Sequence, residues 1–180
     1  SYNLECVLIY DMERGVIENV AYPKQTNSLY HCNTCFFGPD FYSSDDKYPL
    51  LYISMEHKDV MATMVYRINQ IGGGYTLDHI QTINLALEDK DTLYYPNSYY
   101  DYTSDTFYYS GYTKASYRKA DDNLLRYYAF KLPDFRIKEA FVSPNDAIGT
   151  FDLPSETATQ GGFITDGYLY QMYCFDKKDI

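Results

Sequence analysis

The sequence has no Trp, only three His and four Cys in 180 residues, and fewer basic than acidic side chains. Each shortage excludes something. Cys6, Cys32, Cys35 and Cys174 are too few to staple a chain of this length into a disulfide scaffold. Fifteen Lys and Arg against 25 Asp and Glu leave a formal charge of −10. A net anion is not drawn to phosphate backbones or anionic headgroups, so no nucleic-acid partner is expected. No run approaches the ~20 apolar residues that a spanning helix needs, so no membrane insertion is expected either. Residues 1–6 have neither a basic start nor an apolar core and do not read as a signal peptide. G-x-S-x-G, a P-loop and H-E-x-x-H are all missing, and with them the signatures of three reaction classes.

What the chain has in quantity is tyrosine, 23 residues, with 10 Phe. Tyr favours strands and is half polar, so alternating Tyr suits sheets with one wet face. It also suits a contact surface, because the ring packs on a ligand while the hydroxyl bonds to it. The pattern predicts strands at 6–12, 16–20, 31–37, 49–55, 61–68, 75–85, 97–104, 106–112, 124–132, 135–142, 160–165 and 168–175. Gly15, Gly72 to Gly74, Pro133-Asp134 and Asp166-Gly167 are the turn signals between them. Residues 143–159, with Pro144 and Pro154, read as a loop.

The strands recur. Tyr52, Tyr108 and Tyr170 fall on second strands, 56 and then 62 residues apart; Tyr10, Tyr66 and Tyr128 fall on third strands at the same two steps. Four strands per repeat of about 60 residues, without a helix, point to the blades of a β-propeller. Strands a to d would then run c-d in 1–23, a-d in 31–85, a-d in 97–142 and a-b in 160–180, all in one domain. That is about three blades' worth; the alternative is a single β-sandwich-like domain.

The order of the first hairpin, His31-x-Asn33 with Phe36-Phe-Gly38, then Tyr48-Pro-Leu-Leu-Tyr-Ile-Ser54 resembles a group of bacterial β-propeller proteins of unassigned function. Gln160-Gly-Gly-Phe-Ile-x-Asp-Gly-Tyr-Leu-Tyr170 carries the same resemblance. It spans nearly the whole chain and implies a fold but no reaction. Such proteins have six or seven blades, which implies that another copy or a longer chain supplies the rest.

In such a fold the first strand of each blade lines the central channel, and polar residues there are the candidate ligand site. These are His31, Asn33, Tyr99, Tyr100, Asp101 and Gln160. The reading is a binding module for a glycan or protein partner, without cofactor or metal. The alternatives are a glycan-active enzyme with carboxylates or His31 on the rim, and a structural fragment completed by a second copy. An extracytoplasmic or secreted location is the expectation. His31, Cys32 and Cys35 invite a zinc reading, but a tetrahedral site needs further ligands and no second C-x-x-C exists. On an extended strand the two cysteines would point to opposite faces, about 10 Å apart at Cα, too far for a disulfide. Asp45-Asp46 and Asp121-Asp122 read as solvated loop charges, and Gly161-Gly162 as room for close packing near the axis.

Overall fold

The computed structural model describes residues 6–23, 31–57, 60–88, 93–114, 123–154 and 158–174, and these are all strand, turn or loop apart from one 3₁₀ turn at Pro144–Asp146. The protein is all-β. Among the described residues thirteen strands form three sheets.

The largest sheet is built on a meander of four: β3 (His31–Phe37), β4 (Leu51–His57), β5 (Val60–Ile71) and β6 (Gly74–Leu85), each antiparallel to the next. Its outer strand β6 accepts two visitors along one edge. Ala21 to Pro23 of β2 (Val16–Pro23) lie parallel to Tyr75 to Leu77, bringing the hairpin partner β1 (Val7–Asp11) with them. The second sheet is also a meander, β7 (Tyr94–Asp101), β8 (Thr106–Tyr112) and β9 (Leu124–Phe130). Residues 135–142 do not supply its fourth strand as the sequence suggested. Only β10 (Glu139–Val142) forms there, and it crosses to the first sheet, parallel to Thr82 to Leu85 of β6. The fourth place is taken by β11 (Gly149–Pro154), from the stretch read as a loop. The reason is packing. Ala140 and Val142 alternate into the core between the sheets, whereas β11 is mostly exposed and gives no apolar alternation to read. The third sheet is the hairpin β12 (Ala158–Thr165) and β13 (Tyr168–Cys174). Its two-residue turn has positive φ at both Asp166 and Gly167, the geometry that Asp-Gly favours because it matches the strand twist.

The large sheet curls into a half-barrel, and the sheets stack in chain order. One face of the first meander, through Leu50, Tyr52, Val65 and Ile83, meets Phe107, Tyr109, Tyr128 and Phe130 of the second. The opposite face of the second meander, through Tyr99, Leu125 and Tyr127, meets Ile164 and Leu169 of the third sheet. The remaining face of the first meander, with Leu51, Ile53, Met64 and Tyr66, packs on Ile9 and Ala21 of the β1–β2 hairpin. Burying one such aromatic or aliphatic side chain stabilises by roughly 1.5–3 kcal/mol, so these three clusters hold the stack together.

The tyrosine series marks strands and faces but not register. Tyr52 pairs with Val65, and Tyr108 with Ala129. Matching those two pairs sets Tyr66 against Phe130, two residues beyond Tyr128. A two-residue step keeps the face because side chains alternate with period two. The β8–β9 connection is longer than the β4–β5 one, and it absorbs the offset.

Candidate functional site

The first strands β3, β7 and β12 lie side by side, β7 in the middle. Hydroxyls weld the first two together. Thr34 Oγ1 donates to the Ser98 carbonyl at 3.0 Å, and the hydroxyls of Ser54 and Ser98 are 2.6 Å apart. Thr63 donates to Ser98 Oγ at 3.0 Å, and the Ser98 N–H reaches Ser54 Oγ at 2.6 Å. Ser54, Thr63 and Ser98 are fully buried. Buried hydroxyls need partners, and here they satisfy one another. Nothing in the sequence singled them out, because isolated Ser and Thr on strands have no motif.

The sequence-derived residues divide along these strands. Asn33, near the start of β3, donates from Nδ2 to the Pro96 carbonyl at 2.7 Å. Asp101 closes β7 five residues beyond Pro96, about 16 Å away at a strand's rise. Asn33 and Asp101 therefore sit at opposite ends. His31 opens β3 and Gln160 lies on β12; their side chains are outside the described residues. Tyr99 is buried against Tyr127 in the cluster that meets the third sheet. Tyr100 points to the other face and donates its hydroxyl to Asp105. Asp101, 1% exposed, accepts from the Thr103 N–H at 3.0 Å and from Ser104 Oγ at 2.9 Å. Burial pushes its pKa up, but those donors and the N–H groups of Gly167 and Ser104 win, and the carboxyl titrates below its ordinary range. The Gly167 contact couples the β7–β8 turn to the β12–β13 turn. Thr103 Oγ1 to Asp166 at 2.9 Å does the same.

At that end of the strands the side chains become accessible. Tyr102, 59% exposed, donates its hydroxyl to the Phe37 carbonyl and stands edge-on to Tyr100, with ring centres 4.9 Å apart. Behind them Phe36 is stacked on Tyr52 at 5.0 Å and on Tyr100 at 6.3 Å. Gly38 leaves room for this stack: a Cβ there would lie 2.3 Å from the Tyr52 ring. The Tyr52 hydroxyl is buried without a hydrogen-bond partner. Burial, then the charge of Asp40, push its pKa far above the ordinary tyrosine range. Tyr100 is raised by burial, by its bond to Asp105 and by Asp40. Asp40 and Asp105 are exposed at the surface of this cluster. The rim thus offers an open aromatic ring and two carboxylates. Tyr102 went unselected in the sequence because it follows the strand pattern into a turn; only the fold shows that it escapes burial.

The cysteine pair differs from expectation. A bulge between Cys32 and Cys35 sets them opposite Met55 and Ile53, so both face the same side. They form no disulfide with each other. Cys32 Sγ instead lies 3.6 Å from Met55 Sδ. Among the described residues no group of three or more His, Cys, Asp or Glu could hold a metal ion. Asp46 is engaged with Arg67, Oδ1 to Nη2 at 2.5 Å, and Arg67 in turn lies over the Tyr42 ring at 4.8 Å. Asp121 and Asp122 are outside the described residues. Among the described residues no helix is long and apolar enough to cross a membrane. No protein-family model, curated protein or solved structure matches this chain.

Proposed function

We propose that the chain is an arc of β-propeller blades that binds a glycan at the rim around Tyr102, without turning it over. The blade reading draws support from the meander β3 to β6, from the four-stranded sheet β11-β9-β8-β7 stacked on its face and from the contact of β3 with β7. The ligand reading is carried by Tyr102: a more than half-exposed ring, fixed by its own hydroxyl and by Tyr100, beside Asp40 and Asp105. A ring held in place loses little entropy on binding. Its face suits the C–H face of a sugar, and carboxylates accept sugar hydroxyls. The polar groups deeper on the first strands are committed to one another, Asn33 to Pro96, Asp101 to its turn and Ser98 to Ser54 and Thr63, which moves the site outward to the rim.

Calorimetric titration against a panel of soluble oligosaccharides tests this. At least one binds saturably, and Tyr102→Ala weakens it about tenfold or more, about 1.4 kcal/mol. Tyr95→Ala, an exposed tyrosine at the opposite end of β7, leaves it unchanged. Unaltered binding by Tyr102→Ala, or no binding by the wild type, defeats the proposal. Release of shortened sugar would replace it with the enzyme reading.

A further inference from the structure

The three sheets leave a deficit and a surplus that match. The second meander is four strands wide, but the sheet stacked on its outer face, β12–β13, is only two. On the uncovered side of that face, Phe151 of β11 lies open on Tyr127, with ring centres 4.7 Å apart. At the other end of the stack the β1–β2 hairpin is two strands wide, and its outer face presents Leu8, Tyr10 and Ile17, each more than half exposed.

A second mismatch repeats the first. The outward face of β12–β13 is apolar: Phe163 stacks on Tyr170 across the pair at 4.7 Å, with Tyr168 and Met172 alongside, all about half to two-thirds exposed. On the first meander, the face that packs on the β1–β2 hairpin is open along β3. There Cys35 and Phe37, paired with Ile53 and Leu51, share the apolar side and stay exposed. The hairpin joins this sheet at β6, the edge away from β3. Among the described residues, β1 and β13 each have one neighbour only, so each presents an unpaired edge of backbone donors and acceptors.

We propose that a second copy of this chain covers these faces: β13 of one copy pairs along its free edge with β1 of the other, and two such junctions close a pair. Each junction adds β12–β13 to the partner's β1–β2 hairpin, which is itself hydrogen-bonded to β6 of that copy. Tyr170 and its neighbours then cover Phe37 and Cys35 of the partner, and the partner's hairpin covers Phe151. One docking covers both open faces, and this is what selects a second copy over an unrelated protein. The inference rests on strand order and exposure; it does not depend on the Tyr102 ligand. Each copy carries −10, so added salt screens the repulsion and strengthens the pair.

Sedimentation equilibrium or light scattering decides. The wild type has the mass of two 21.0 kDa chains at micromolar concentration. Tyr170→Glu alone and Phe37→Lys alone reduce it to one chain without loss of circular dichroism. The two substitutions together in one chain restore the pair, because each junction then joins opposite charges. A wild type that remains a single chain at roughly 100 µM overturns the proposal and leaves the face to another kind of partner. So do single variants that still pair, or a folded double variant that does not. A mass that keeps growing with concentration overturns the closed pair in favour of an open array.

Discussion

Asp101→Asn separates a structural carboxylate from a chemical one. The side chain is 1% exposed and accepts from the Thr103 N–H at 3.0 Å, from Ser104 Oγ at 2.9 Å, and from the N–H groups of Gly167 and Ser104. Asn has the same shape, but one of its terminal atoms is a donor. At least one of these donors would then face an NH₂ group and lose its acceptor. A hydrogen bond to a charged group contributes about 1.5–3 kcal/mol. For a chain of this size that is a fall in Tm of roughly 3–12 °C, at about 2–4 °C per kcal/mol. The pH dependence has a definite sign. The folded pKa is depressed, so the stabilisation is fully present above the unfolded value and is lost as pH falls through the folded one. The wild-type advantage over Asp101→Asn is therefore flat from neutral pH down to about 4 and shrinks below it. Urea unfolding of both proteins at a series of pH values measures this. Equal stability at pH 7, or a difference that persists at the lowest pH, would refute the reasoning. Oligosaccharide affinity at Tyr102 should change less than stability does, since Asp101 lies beneath the turn and not on the rim.

Three further outcomes follow from the same structure. Ser98→Ala removes the oxygen that receives Thr63 and adjoins Ser54, leaving buried hydroxyls short of a partner; urea unfolding should show a loss of about 1–3 kcal/mol. Gly162→Ala places a Cβ 2.3 Å from the Tyr170 carbonyl oxygen, a backbone atom with little room to yield. Its cost of about 1–3 kcal/mol should appear in hydrogen exchange as lost protection in β12 and β13, with β4 and β5 unaffected. Arg126→Ala breaks a two-pronged pair with Asp152, both bonds 2.8 Å, but each side chain is 30% exposed. Water and salt screen such a pair, so thermal melting should report a change of no more than about 1 kcal/mol.

Local chemistry made most of the strands legible. Alternation along residues 75–85 announces β6, and Asp166-Gly167 announces a two-residue hairpin, because period-two burial and positive φ leave marks on neighbouring residues. Where alternation fails, so does the reading. The strand β11 is mostly exposed, and β10 leaves its own meander because Ala140 and Val142 find their core beside β6. The Cys32–Cys35 bulge inserts a residue that the sequence pattern does not show, and it reverses which face Cys35 uses. The candidate site divides the same way. First strands rich in polar residues were visible. That Asn33 and Asp101 stand at opposite ends of β7, each bonded internally, depends on how β3 lies on β7.

By itself, then, the sequence determined an all-β chain, most of its strands, its acidity and its richness in tyrosine, because these follow from each residue and its near neighbours. The tertiary structure alone decided which sheet receives β10 and β11, which tyrosines are buried and which one reaches the rim, and which apolar faces remain open. Those are properties of contacts between residues distant in the chain. Tyr99, Tyr100 and Tyr102 are nearly adjacent and chemically identical. One packs toward the third sheet, one toward the first, and one toward solvent, because β7 lies between two sheets and ends between them.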